Sequence, residues 1–134
     1  GDTVNLASRL EWVNKIYHTN IILSEQTAKR ISHRFLLRKL DRITVKGKNH
    51  PTLIYELLDS SDCDHVEWLQ QRIDRHEKWL EAYFKQDWNT ARKWFSLNAQ
   101  EADPVASVFL ERIDSFLLHP LEWNWDGVYR LLDK

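Results

Sequence analysis

Residues 1–11 read GDTVNLASRLE, and this stretch decides how the rest of the chain is interpreted. Asp2 or Thr3 suits the cap of a helix N-terminus, because a short polar side chain accepts hydrogen bonds from the free N–H groups there. Apolar residues then recur at helical spacing, at Leu6, Leu10, Val13 and Tyr17. Since positions three and four apart share one face of a helix, the pattern predicts an amphipathic helix with one buried stripe.

Asn5 and Arg9 are four residues apart and share a second face of this predicted helix, roughly a quarter-turn from the apolar stripe. They present an amide and a guanidinium to one small region at the rim of the core. A guanidinium suits a phosphate better than an ammonium group does, because it can bond two oxygens at once. The alternative is an exposed amphipathic helix in which Arg9 is merely solvated.

The same stretch resembles the G-D-x-V-N-x-A-x-R-[LM] helix of the class III nucleotidyl cyclases, which make cyclic AMP or cyclic GMP. The matching positions are Gly1, Asp2, Val4, Asn5, Ala7, Arg9 and Leu10. The resemblance implies that Asn5 and Arg9 are catalytic residues that stabilise the transition state of cyclisation.

A β-hairpin with a basic tip is predicted further along the chain. Residues 35–45 alternate with a period of two, with a bend or bulge near Lys39–Asp41 where the apolar pattern slips. Lys46-Gly47-Lys48-Asn49 forms the turn, and residues 52–57 form the return strand. Before this hairpin, residues 20–23 predict a short buried strand, and Ser24 is the expected N-cap of a short helix.

The hairpin resembles the closing hairpin of the same cyclase domain in its L-x-x-I-x-V-K-G-K…I-Y-E-L pattern. The resemblance implies that a lysine of the turn contacts the phosphates of the nucleotide. Lys46 and Lys48 are the candidates, and Lys46 is favoured. The alternative is a turn that lysines simply keep soluble.

A helical region is predicted beyond the polar stretch Asp59-Ser60-Ser61-Asp62, which we interpret as a domain boundary. Helices are expected from about Asp64 to Lys85, from about Asp87 to Ala99, and from Asp103-Pro104 to His119-Pro120. The second and third suggest a tetratricopeptide-like hairpin. His76 lies on the apolar stripe of the first of these helices and is predicted to be a core or boundary histidine and not a ligand.

The aromatic ending, Trp123-Asn124-Trp125-Asp126-Gly127-Val128, has no regular periodicity. Together with the helix pair, it resembles the C-terminal extension of bacterial adenylate cyclases. Six of the seven tryptophans lie beyond residue 60, and we expect them to pack in a core more often than to bind a ligand.

The distribution of charge and the residue composition argue for some classes of function and against others. Residues 1–58 hold ten of the 19 Lys and Arg residues and only five of the 20 acids, so the positive charge lies with the cyclase-like part. No aromatic stacking platform is interleaved with these bases, which argues against nucleic-acid binding. The single cysteine, Cys63, is predicted to have no metal-ligand companion. The chain contains no methionine and opens on Gly1 of a motif that the resemblance places deep within a domain, so we expect a C-terminal piece of a longer protein.

The predicted fold class is α+β. Residues 1–58 are expected to form the C-terminal part of a ferredoxin-like nucleotidyl cyclase domain, and residues 62–134 a small helical extension. The resemblance implies a head-to-tail homodimer, with active sites formed between two cyclase chains. It also places the chain in the cytoplasmic portion of a membrane-anchored bacterial sensor protein.

The predicted function is conversion of ATP to 3′,5′-cyclic AMP and pyrophosphate with two metal ions, Mg²⁺ or Mn²⁺. The resemblance places the metal ligands upstream of Gly1, so this chain alone is expected to be inactive. The choice of ATP over GTP as the substrate rests on the resemblance of the C-terminal extension to that of bacterial adenylate cyclases. The rival hypothesis is a non-catalytic helical module on a degenerate cyclase scaffold, in which the helical region binds a protein partner.

Overall fold

The computed structural model describes residues 11–45 and 50–131. These residues form five helices and four strands, which we number in chain order. They are α1 (residues 11–17), β1 (Ile22–Ser24), α2 (Glu25–Ile31), β2 (Phe35–Val45), β3 (Thr52–Ser60), α3 (Val66–Phe84), α4 (Trp88–Gln100), α5 (Pro104–Leu118) and β4 (Tyr129–Leu131). The α+β class predicted from the sequence is confirmed.

The four strands form one sheet in the order β1-β3-β2-β4. β3 pairs antiparallel with both β1 and β2, so Tyr55 faces Leu23 on one side and Lys39 on the other. β4 pairs with β2 in parallel, with Ile43 opposite Tyr129. The predicted hairpin therefore forms the centre of the sheet, and the last described residues of the chain close one of its edges.

A bulge interrupts β2 where the sequence predicted it. The register with β3 shifts between Lys39 and Asp41. A bulge inserts one extra residue and reverses the alternation of side chains beyond it. As a result Leu40 and Asp41 are both fully buried although they are adjacent in the chain.

β3 extends further than expected. The return strand was predicted to end at Leu57, with Asp59 and Ser60 in a domain boundary. Both residues instead belong to β3 and pair with Leu36 and Phe35 of β2. Strand pairing overrides the weak β-propensity of Asp and Ser here.

The helix boundaries follow their capping signals. Asp87 accepts a hydrogen bond from the backbone N–H of Thr90 at 3.3 Å and caps α4. Asp103 caps α5, and Pro104 occupies the first turn. Ser24 caps α2 through the N–H of Thr27. These three caps confirm the predictions, because capping depends on residues close together in sequence.

Helices α1, α3, α4 and α5 share the main hydrophobic core with the sheet, and Leu36, Leu69 and Ile73 form a smaller second cluster. Phe95 of α4 and Phe109 of α5 stack with ring centroids 5.0 Å apart, and Trp79 of α3 lies 3.8 Å from Phe95. The same core includes the buried residues Val13, Tyr17, Ile22, Leu40, Ile43, Ile54, Leu80, Tyr83, Ala91 and Ile113. Each large side chain buried in this way stabilises the fold by about 1.5–3 kcal/mol.

The aromatic ending packs only in part. Trp125 lies against the core, whereas Trp123 is 92% exposed. Gly127 then adopts a φ of +78°, where a Cβ would lie 3.0 Å from Arg42 Nη1, so the turn into β4 requires glycine. Within the described part of the chain, we find no helix with the length and apolar character that a membrane crossing requires.

His76 lies at the centre of the shared core, as predicted. It is fully buried, and its Nε2 donates to the carbonyl oxygen of Leu40 at 3.1 Å. Its ring lies 4.4 Å from that of Trp79. Burial, followed by the nearby positive charge of Arg38, holds the pKa of His76 well below its usual value of 6.5. The imidazole is therefore neutral in the folded protein near neutral pH.

We expect this histidine to make the fold less stable in mild acid. Because the unfolded chain binds a proton below about pH 6.5 and folded His76 does not, stability should fall by about 1–2 kcal/mol from pH 7 to pH 5. Urea unfolding at several pH values measures this. His76→Gln keeps an N–H donor for Leu40 and should flatten the slope, whereas His33→Gln, at an exposed site, should not. An equal slope in His76→Gln would contradict the assignment.

Candidate functional site

The four residues predicted to act on a nucleotide, Asn5, Arg9, Lys46 and Lys48, lie outside the described residues. The structure does describe the elements next to them in the chain. α1 follows the predicted catalytic pair, β2 ends at Val45 before the predicted lysine turn, and β3 begins at Thr52 after it. The contacts that hold these elements together therefore define the surroundings of the candidate site.

A buried polar cluster joins α1, β2 and α5. Asp41 of β2 accepts from the hydroxyl of Tyr17 at 2.5 Å and from Nη1 of Arg112 at 2.6 Å. Nη2 of Arg112 also donates to the Tyr17 oxygen at 2.8 Å. Tyr17 and Asp41 are fully buried, and Arg112 is 6% exposed. One cation and one anion thus neutralise each other away from water, and the phenol completes the hydrogen bonding.

The protonation states agree with this geometry. Burial, followed by the charge of Asp41, raises the pKa of Tyr17 well above its ordinary value, so the phenol stays protonated and donates. Burial alone would lower the pKa of the Arg112 guanidinium, but Tyr17 and Asp41 raise it well above its ordinary value. Arg112 also lies over the ring of Tyr129 in β4, 3.5 Å from the centroid. The cluster therefore carries fixed charges that hydrogen bonds and an aromatic face hold in place.

A second buried ion-pair network joins β2 to the start of α5. Nη1 and Nη2 of Arg38 donate to the two carboxylate oxygens of Asp103 at 2.7 and 3.0 Å. The Nε of Arg38 donates to Glu56 of β3 at 2.7 Å. Arg38 is only 1% exposed, and Asp103 is also the cap of α5. This bidentate pair therefore fixes both the position of α5 and its distance from the sheet.

The two carboxyl groups of this network shift in opposite directions. Burial raises the pKa of Glu56 above its ordinary value, and the attraction of Arg38 only partly offsets that. Burial would also raise the pKa of Asp103, but hydrogen bonds from Arg38 and its charge bring it below its ordinary value. Asp103 is thus the main counter-charge of Arg38.

An open cavity of about 290 Å³ adjoins the first cluster. Its lining residues are Ile16, His18, Val108, Glu111, Arg112, Ser115 and Tyr129. Both terminal nitrogens of Arg112 already donate to Asp41 and Tyr17. Arg112 is therefore already committed as an anchor of the fold and does not serve as a free cation for a phosphate.

The sequence did not predict most of these buried ion pairs. One signal was present for Arg38. The alternation in β2 places it on the same face as Leu36 and Leu40, which indicates a charged residue at a buried position. Its partner Asp103 is 65 positions away, and Arg112 is 71 positions from Asp41. No spacing rule links residues so far apart.

One group of described residues offers ligand atoms for a metal ion. It consists of Asp59, Cys63 and His65, whose ligand atoms all lie within 4.8 Å of one another. The expectation that Cys63 has no such companion is therefore wrong. Asp59 is seven residues along β3 from Thr52, so the group lies roughly 23 Å from the start of that strand.

Comparison with known proteins relates the chain to adenylate cyclases over part of its length. It is 31% identical over 100 residues, 72% of this chain, to "Adenylate cyclase, terminal-differentiation specific" of Dictyostelium discoideum. It is 42% identical over 60 residues, 42% of this chain, to "Adenylate cyclase" of Anabaena cylindrica. It is 38% identical over 58 residues, 43% of this chain, to "Adenylate cyclase 1" of Rhizobium meliloti (strain 1021).

The chain spans only 5%, 12% and 9% of the lengths of these three relatives, in the same order. No protein-family model matches it, and no solved structure matches it. These findings support a relationship to adenylate cyclases and a cyclase-related function.

Proposed function

We propose that this chain is the C-terminal part of an adenylate cyclase catalytic region, together with the helical extension that supports it. The observation that carries the proposal is the partial identity to three proteins that share the name adenylate cyclase and come from distant organisms. The presence of Asn5, Arg9 and Lys46 in one chain supports it further, because a decayed scaffold has no reason to keep all three.

The proposed reaction is intramolecular. The ribose 3′-oxygen of ATP attacks the α-phosphorus, a new P–O bond closes the ring, and the bond to pyrophosphate breaks. In this proposal Asn5 orients the ribose, and Arg9 meets the negative charge that develops on the α-phosphate. Lys46, assisted by Lys48, holds the phosphates that leave as pyrophosphate. A second copy of the chain, arranged head to tail, would complete the site.

The described residues do not fit the Mg²⁺ or Mn²⁺ pair that the resemblance implies. The buried carboxylates of Asp41 and Asp103 are each hydrogen-bonded to a guanidinium. The group at Asp59 lies near the end of β3, far from its start at Thr52, and contains a thiol, which these hard cations disfavour. We therefore derive no step through the metal from these residues.

The geometry gives the helical extension a supporting role in this proposal. The Tyr17–Asp41–Arg112 cluster ties α1 and β2 to α5, so the elements beside both predicted motifs share one anchor. A phosphate-binding lysine and a transition-state arginine need a fixed separation, because misplacement by about 1 Å can cost 100-fold in rate. The extension would supply that fixed frame.

An interaction module remains the second candidate, and one observation favours it. Leu117, Leu118 and Trp123 are 52%, 77% and 92% exposed near the end of α5 and beyond it. Large apolar side chains at the surface are typical of protein contact sites when they are contiguous. Cyclase kinetics of Arg9 and Lys46 variants separate the two candidates, because a module without catalysis would not depend on either residue.

Arg9→Ala in the full-length protein should lower kcat by roughly 10²–10³-fold, or about 3–4 kcal/mol, because its charge acts mainly in the transition state. KM for ATP should change much less. Steady-state measurement of cyclic AMP formation tests this. Arg30→Ala removes the same charge from an exposed position on α2 and should leave kcat unchanged. A raised KM with an intact kcat would restrict Arg9 to ground-state binding.

Lys46→Ala should mainly weaken nucleotide binding, since an ammonium on the leaving phosphates also contacts them in the ground state. We expect KM for ATP to rise by about 10-fold, consistent with loss of a charge-assisted contact of roughly 1.5 kcal/mol. Lys29→Ala, on the exposed face of α2, is the matched control. An unchanged KM in Lys46→Ala would mean that the lysines of the turn do not bind the nucleotide and only keep the hairpin soluble.

A further inference from the structure

The end of β3 and the start of α3 bring three different metal-ligating side chains together. Asp59 is the penultimate residue of β3, Cys63 lies in the turn that follows, and His65 immediately precedes α3. Their ligand atoms all lie within 4.8 Å of one another. A carboxylate oxygen, a sulfur and an imidazole nitrogen therefore converge at one corner of the fold.

Hydrogen bonds around the group orient its members toward one another. The backbone N–H of Ser60 donates to Oδ1 of Asp59 at 2.7 Å, which leaves Oδ2 facing the Nε2 of His65 at 3.4 Å. The N–H of Cys63 donates to the carbonyl of Ser60 at 3.2 Å and closes the turn. Such outer contacts orient the ligands in protein metal sites.

His65 makes no contact that explains its position as a cap. It occupies the N-cap of α3, where Ser, Thr, Asp and Asn are strongly preferred, yet its side chain makes no capping hydrogen bond. Its carbonyl accepts from the N–H of Leu69 at 3.0 Å, so the backbone is fixed while the imidazole turns to Asp59. On binding an ion, the imidazole would exchange its contact with Asp59 Oδ2 for a bond from a ring nitrogen to the ion.

The chemistry of the group and one of its measured spacings suit zinc. Bonds of about 2.0–2.3 Å in a tetrahedral site place neighbouring ligand atoms about 3.3–3.8 Å apart. The Asp59–His65 separation of 3.4 Å already falls in this range. Sulfur and imidazole ligands favour Zn²⁺ over Mg²⁺ or Ca²⁺. A bound Zn²⁺ with one carboxylate and one thiolate would also be electrically neutral.

We propose that Asp59, Cys63 and His65 bind one Zn²⁺ ion, with a water molecule as the fourth ligand. Asp59 and Cys63 are half-buried, while His65 is exposed, so one face of the ion would meet solvent. On binding, the thiol releases its proton to solvent. The ion would join the end of the sheet to the first turn of α3. This proposal does not depend on the proposed cyclase function.

Cobalt titration of the full-length protein tests the proposal, because tetrahedral Co²⁺ replaces Zn²⁺ and reports its ligands. We expect visible d–d bands of tetrahedral intensity and a near-ultraviolet thiolate-to-cobalt charge-transfer band, both removed by Zn²⁺. Cys63 is the only cysteine of this chain, so Cys63→Ser should remove the charge-transfer band assigned to this site. A wild-type protein without that band would overturn the proposal, and this result requires no variant to fold.

Three variants and two controls define the site. Zinc affinity, measured by competition with a chelator, should fall at least 10-fold in Asp59→Asn, Cys63→Ser and His65→Gln. Asp62→Asn and His33→Gln change neighbouring or exposed groups of the same type and should keep wild-type affinity. Circular dichroism confirms that each variant is folded. Equal zinc affinity in Cys63→Ser would mean that only a surface ion pair exists at this corner, and it would overturn the proposal.

Discussion

The ion pair between Arg112 and Asp41 is the contact on which the rest of the structure depends. Both residues are buried, and the Nη1–Oδ2 distance is 2.6 Å. A charge taken from water is costly unless a partner and hydrogen bonds compensate it, so α5 must dock on β2 in one orientation. Arg38 and Asp103 impose a second constraint of the same kind, three residues earlier in β2. The apolar core supplies most of the stabilisation, and the buried charges are paired only when α5 and β2 lie as they do here.

Local signals in the sequence determined the parts of the fold that we predicted correctly. The caps at Ser24, Asp87 and Asp103 bond to backbone N–H groups two or three positions further along the chain. The apolar spacing of each helix is likewise a pattern of residues close in sequence. The bulge in β2 was visible because the apolar alternation slips between Lys39 and Asp41. β4 gave no comparable signal, since three residues are too few for a period of two to stand out.

Contacts between distant residues could not be predicted in the same way. The sequence marks Arg38 and Asp41 as charged residues in a strand, but their partners lie 65 and 71 positions away. The metal-ligand group was missed for a different reason. Asp59, Cys63 and His65 are close in sequence, but only the turn closed by Cys63 and Ser60 brings their ligand atoms together. The proposed nucleotide residues, Asn5, Arg9, Lys46 and Lys48, came from resemblance and lie outside the described residues.

The most direct test is a double-mutant cycle on Asp41 and Arg112, measured as free energy of unfolding in urea. Asp41→Asn and Arg112→Met should each cost about 3–5 kcal/mol, because each leaves a buried charge without its partner. The double variant should cost at least about 2 kcal/mol less than the sum of the two. The exposed Arg92–Asp114 pair is the control, with a coupling below about 1 kcal/mol. Additivity within about 0.5 kcal/mol at Asp41 and Arg112 would contradict the claim that this pair anchors the helical extension to the sheet.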